Sequence, residues 1–135
     1  TIATRYAEPQ FQGRQLGSLL LDQGFLAGLG NYLRSEILFC ARVHPLRRLG
    51  DVSASARHAL GQQTLFLTRQ SYDTQGVTND LDSYRALRRA GRTFGQSRHW
   101  VFDRQGDSCY ECGETIEKIS VNSRRLYYCL HCQNQ

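Results

Sequence analysis

The sequence predicts a mainly α-helical chain that ends in a β-hairpin zinc ribbon. Three observations carry this. Four cysteines stand in two pairs, Cys109-x-x-Cys112 and Cys129-x-x-Cys132, with sixteen residues between them. Apolar residues recur at helical spacing through the first half of the chain. A glycine-dense stretch, Gly24 to Gly30, separates two of those helical runs.

Taken in order, Thr1 to Pro9 has no periodic pattern and is expected to lead in from something else. From Phe11 the pattern is helical, with Leu16, Leu19, Leu20 and Gln23 on one face. Glycines as dense as those of Gly24 to Gly30 suit tight turns rather than a helix. Asn31 follows as an expected N-cap, and Leu33, Ile37, Cys40 and Ala41 form a second stripe that ends near His44-Pro45. A third helix is expected from Ser53, burying Ala56, Leu60, Thr64 and Leu67. Asp73 to Asp80 reads as a loop, Tyr84 to Arg89 as a short helix with its arginines exposed, and Gly91 to Ser97 as a loop. Trp100-Val101-Phe102 is expected to be a strand, followed by a turn at Gln105-Gly106-Asp107. Ile116 to Val121 and Leu126 to Tyr128 are the expected hairpin strands, with Asn122 to Arg125 as the tip.

The cysteine spacing has a chemical reason. Each Cys-x-x-Cys turn aims two thiolates at one point, and a hairpin brings the two turns together. Four sulfurs in a tetrahedron suit zinc and leave no open position, so the metal would hold a fold rather than activate water. A redox dithiol or a pair of disulfides is the competing reading, and two matched pairs fit one metal better. Cys40 lies in the apolar run Ile37 to Ala41 and reads as a core residue.

Net charge is +5, and Lys118 is the only lysine among 17 basic residues. Arginine grips phosphate with a rigid fork, so this balance suggests nucleic acid, with ordinary solubilising charge as the alternative. Six arginines and one acid fall between Arg85 and Arg104. That run is either solvated charge or a phosphate-facing strip. There is no long apolar run and no secretory leader in these residues, and the unpaired fifth cysteine fits a reducing cytoplasm.

Two elements stand out for function. Gly28-Leu29-Gly30-Asn31 puts an amide at a helix start, where free N–H groups and the helix dipole favour an anion. Asn31 either caps its own helix or donates to phosphate. At the hairpin, Arg124 and Arg125 project from a metal-fixed turn, as groove-facing cations or as ordinary surface charge.

Together these motifs resemble one family. Leu20 to Leu38, with Gly28-Leu29-Gly30-Asn31 at its centre, is similar to the helix–two-turns–helix signature of the formamidopyrimidine-DNA glycosylase and endonuclease VIII family. Val101-Phe102, the turn at Gly106 and the four cysteines resemble its C-terminal zinc finger. Leu21-Asp22-Gln23 and Asn31-Tyr32-Leu33-Arg34 look most like endonuclease VIII. The resemblance implies a helix–two-turns–helix DNA-binding domain with a connecting loop over residues 1–98 and a zinc finger over 99–135. It implies one structural zinc on Cys109, Cys112, Cys129 and Cys132. Damaged double-stranded DNA is the implied partner, bound by Asn31, Arg124 and Arg125. It also implies that Arg124 acts near the damaged nucleotide, in δ-elimination. Arg125 stands where relatives often carry proline or a small residue, and Gln75 where some carry arginine.

Family members excise oxidised bases, oxidised pyrimidines in the endonuclease VIII branch, and then cut the abasic strand as lyases. Their nucleophile is an N-terminal proline in a preceding domain. This chain starts Thr1-Ile2-Ala3. The expectation is therefore the C-terminal half of a bacterial, cytoplasmic, nucleoid-associated glycosylase/lyase, inactive without its catalytic half. A non-catalytic damaged-DNA binder that works alone is the alternative.

Overall fold

The computed structural model describes residues 1–135 and is organised around one central helix. Helix α1 spans Ile2–Ala7, α2 Leu16–Leu19, α3 Asn31–Cys40, α4 Ala54–Thr74, α5 Leu81–Arg89 and α6 Phe94–Ser97. Strands β1 (Glu117–Val121) and β2 (Arg124–Tyr128) form the antiparallel hairpin. Every residue from Leu33 to Phe39 is buried, so α3 is enclosed on all sides. It packs against α4 on one side and β2 on the other.

Helix α4 follows its sequence pattern closely. The Ser53 hydroxyl accepts from the Ala56 N–H at 3.0 Å and starts the helix. Ala56, Leu60, Thr64, Leu67 and Ser71 form the buried stripe. Gln75 closes it in the left-handed conformation, φ 60°. One apolar core joins α1, α2, α3 and α4 to the hairpin residues Leu126 and Tyr128. A second cluster, Phe39, Val101, Ile116 and Tyr127 around Cys109 and Cys129, lies beneath the four thiols.

Several local expectations are corrected. Thr1 to Pro9 holds a helix, capped by the Thr1 hydroxyl, and its Tyr6 is fully buried with its hydroxyl bonded to Thr64. The run from Phe11 forms helix only over four residues. Gly91 to Ser97 contains α6, begun by a Thr93–Gln96 capping box. Trp100 to Phe102 is not a strand, because its three N–H groups turn onto one carboxylate of α3. The hairpin turn is only Asn122-Ser123, both at positive φ (56° and 61°), so Arg124 and Arg125 belong to β2. Two consecutive left-handed residues match the twist of a two-residue hairpin. Asn31 is the first helical residue, and Gly30 occupies the cap position without a side-chain bond.

Two glycines are required by geometry. Gly28 takes φ +85° in the turn before α3. At Gly17 a Cβ would stand 3.1 Å from the Pro45 carbonyl oxygen and 3.2 Å from Leu126 Cδ1, so the hairpin and α2 can approach only over a bare backbone.

Candidate nucleic-acid interface and metal centre

The hairpin is fastened to the helices by polar side chains of α3. Asn31 Nδ2 donates to the Arg125 carbonyl at 3.1 Å. The Ser35 hydroxyl accepts from the Tyr127 N–H at 3.0 Å. Arg34, fully buried, donates to the carbonyls of Gly17, Val121 and Arg124 and to Asn31 Oδ1. From the turn, Asn122 donates to the Ser18 hydroxyl of α2 at 2.9 Å. The start of α3 and the start of β2 are thus one continuous surface. Sequence reasoning selected Asn31, Arg124 and Arg125, and the structure brings all three to this surface. It missed Arg34, whose place in a helical sequence looks like any solvent-facing arginine.

The electrostatics of this surface are one-sided. Burial pushes the Arg34 guanidinium down to about 10, and the nearby Arg124 charge adds to the shift. The Arg34 guanidinium sits against the Asn31 amide oxygen, and the Arg124 backbone is held beside it. Neither Arg34 nor Arg124 has a carboxylate within ion-pair distance, whereas Arg125 pairs loosely with Asp103 at 3.5 Å. Arg124 and Arg125 are exposed and Asn31 is half-buried. Asn31 spends one amide hydrogen on Arg125 and keeps a second. An anion seated here would relieve the arginine–arginine repulsion and accept from that amide.

Behind this surface, Glu36 is fully buried. Its carboxylate accepts from the N–H groups of Trp100 (2.6 Å), Val101 (2.9 Å) and Phe102 (3.1 Å) and from the Thr78 hydroxyl. Burial pushes its carboxyl up, and the four donors oppose that. His99 Nδ1 lies 2.7 Å from Thr78 Oγ1. Because the Thr78 proton goes to Glu36, His99 donates through Nδ1. This network locks the linker before the zinc ribbon onto α3. It is structural, and the side chains involved face inward.

The four cysteine sulfurs lie within 4.8 Å of one another. Cys112 and Cys129 sulfurs are 3.5 Å apart, and Cys109 and Cys132 sulfurs 3.8 Å. Zinc–sulfur bonds of about 2.3 Å in a tetrahedron require sulfurs about 3.8 Å apart, so the cage fits one ion. Each knuckle is held independently of metal. Cys109 N–H donates to the Glu114 carbonyl at 2.7 Å, and Cys129 N–H to the buried Gln133 side chain at 2.8 Å. Gln133 in turn donates to the Val43 carbonyl of the helical body. All four positions are filled by sulfur, which makes this a structural zinc site and gives the ion no role in bond cleavage. Cys40 is half-buried outside this cage, and burial pushes its thiol well above the ordinary range, as suits a packing residue.

Fold and site together define a helix–two-turns–helix module carrying a four-cysteine zinc finger. The chain belongs to the formamidopyrimidine-DNA glycosylase H2TH domain family, whose model matches residues 2–81. Residues 106–135 match the zinc finger found in FPG and IleRS. Endonuclease 8 of Salmonella arizonae is 40% identical over 132 residues, covering 98% of this chain and 47% of its own length. Among solved structures, the MutM (Fpg) protein of Thermus thermophilus is 27% identical with a TM-score of 0.79, over all of this chain and 50% of that one. A MutM complex with DNA containing carbocyclic 8-oxo-G superposes with a TM-score of 0.80 at 24% identity, over all of this chain and 48% of that one, which establishes the shared fold. The chain spans about half the length of the relatives it matches. No helix is long and apolar enough to cross a membrane.

Proposed function

We propose that this chain is the DNA-gripping C-terminal half of a base-excision DNA glycosylase/lyase of the endonuclease VIII type, acting on oxidised pyrimidines in duplex DNA. The observation that carries the reading is that the buried Arg34 ties Asn31 to the start of β2, so that Asn31 and the exposed Arg124, which has no carboxylate partner, share one surface. Asn31 donates its free amide hydrogen to a backbone phosphate. Arg124 reaches the strand beside the damaged nucleotide and stabilises charge on a phosphate as the abasic strand is cut. Arg34 positions both by fixing the Arg124 carbonyl and the Asn31 amide. Arg125, drawn toward Asp103, is the secondary contact.

The target atoms of a damaged base are unreachable inside a stacked duplex, so the nucleotide must be everted. A rigid hairpin fixed by zinc at one end and by α3 at the other suits holding such a distorted strand. The reactive amine belongs to the catalytic half that relatives carry outside the matched region. The 40% identity to an endonuclease 8 supports the endonuclease VIII branch. To test the reading, the parent enzyme with Arg124→Ala is assayed on abasic duplexes. Strand processing, δ-elimination above all, should be impaired while zinc content and helicity stay unchanged. Loss in Arg125→Ala with Arg124→Ala silent would move the role by one residue.

A further inference from the structure

Six arginines lie between Arg85 and Arg104, and they divide into two kinds. Arg104 is buried, with its donors spent on the Trp100 and Ser108 carbonyls (2.6 and 2.7 Å) and its plane stacked on Tyr110 at 3.7 Å. Arg98 donates to the Gly76 carbonyl and lies over Tyr32 and Phe94. These two hold the fold together. The other four, Arg85, Arg88, Arg89 and Arg92, are exposed.

Arg85, Arg88 and Arg89 are spaced by three and four on one side of α5, and Arg92 follows just past the helix end, where Gly91 turns the chain at φ +93°. Only Arg85 has an acidic partner, Asp82 at 3.2 Å, in a pair too exposed to bind it firmly. Arg88 also reaches the Arg92 carbonyl and closes the helix end. Helix α5 has no fully buried residue; it rests on α6 through the Tyr84–Phe94 contact and leaves its arginines to solvent. A polar cleft of about 630 Å³ runs from Leu87, Arg92 and Gln96 to Asp103 and Tyr110. Arg92, at the end of the stripe, thus shares a cleft with Asp103, the partner of the hairpin residue Arg125.

We infer that the exposed arginine stripe of α5, Arg85, Arg88, Arg89 and Arg92, is a second DNA-binding surface that grips backbone phosphates of the same duplex beyond the hairpin contact. The inference rests on the DNA-binding reading above. Phosphate is favoured because the groups are guanidiniums, which grip phosphate oxygens with a planar fork, and only one of the four has an acidic partner. Such contacts are sequence-independent and add to affinity and salt dependence.

The test compares the 135-residue zinc-loaded protein with the double variant Arg85→Gln/Arg89→Gln. Its control is Arg48→Gln/Arg69→Gln, which removes the same charge from exposed sites elsewhere. Glutamine is a good helix former, so the fold should persist, checked by zinc content and helicity. Binding of a labelled duplex is measured across a salt series. The α5 variant should weaken binding several-fold near 0.1 M salt and lower the log–log salt slope by about 2, from about 0.9 per lost phosphate contact. Lysine at both positions should restore the slope. Unchanged slope and affinity in the α5 variant, with the wild type binding steeply, would overturn this inference alone. An equal loss in the control would reduce it to net charge and overturn it too. So would a variant that loses only binding to polyglutamate, since the surface would then serve an acidic protein. A wild type that binds no duplex at all would instead remove the DNA-binding reading beneath it.

Discussion

Asn31 carries two duties with one side chain. Its oxygen accepts from Arg34 and its nitrogen donates to the Arg125 carbonyl, leaving one hydrogen for a ligand. Arg34 is the more structural of the pair. Removing it leaves the Gly17 carbonyl and the hairpin carbonyls without a donor in a buried place. Arg34→Ala is expected to cost about 3 kcal/mol of stability, from one to three for each orphaned buried acceptor, read by urea unfolding. A loss below 1 kcal/mol would mean that water replaces the guanidinium. His99 gives a pH signature. Burial holds it down to about 3 from 6.5, with the Arg98 charge assisting. The Glu36 carboxylate, 3.7 Å from His99 Nδ1, opposes this shift, and burial is the larger effect. A depressed folded pKa means that the stability from neutral His99 is complete above pH 6.5 and drains as pH falls toward 3. The slope is about 1.4 kcal/mol per unit. Between pH 7 and 5 the wild type should lose about 2 kcal/mol from this residue. A matching loss in His99→Asn would show that other groups are responsible.

At the scale of elements, the hairpin turn is the most adjustable part. Ser123 sits at φ 61°, a conformation that costs a side chain about 1–2 kcal/mol and glycine almost nothing. Ser123→Gly should therefore raise thermal stability by about 0.5–1 kcal/mol, allowing for the extra entropy of glycine. A decrease would mean that the serine makes a stabilising contact in solution. Zinc removal acts on the other end of the same hairpin. Structural zinc is worth roughly 10–16 kcal/mol of folding energy in small finger modules. Chelation should thus release amide protection from 106 to 135 while α4 keeps its own, because its stripe packs on α1 and α3. Equal loss in α4 would make the ribbon part of a single cooperative unit.

How much of this was legible depended on whether the cause was local. The zinc cage and the buried stripe of α4 are written in spacing, and both stand as read. Asn31 was selected for its helix start, but the Arg125 carbonyl it bridges to lies 94 residues away, so its bridging role could not be seen. Trp100 to Phe102 has the composition of a strand, yet a carboxylate 64 residues earlier claims its N–H groups. Helix α1 has a single buried residue, too little for a periodic signal. Arg34 and Glu36 look like surface charge because what buries them is the hairpin and the linker.

The whole molecule joins a helical body and a metal-fixed hairpin through α3, and the surface it builds is basic where the two meet. That arrangement makes one overall claim: the chain grips duplex DNA through the start of α3 and the start of β2. Affinity should fall steeply with salt, as counterions return to the phosphates. The most direct measurement is a salt-series titration of a labelled lesion-bearing duplex with the zinc-loaded chain and with Asn31→Ala. The wild type should bind with a steep salt slope, and Asn31→Ala should lose about 1–2 kcal/mol, roughly tenfold, with zinc content and helicity unchanged. Equal affinity in the two proteins, or a wild type whose binding ignores salt, would contradict the account.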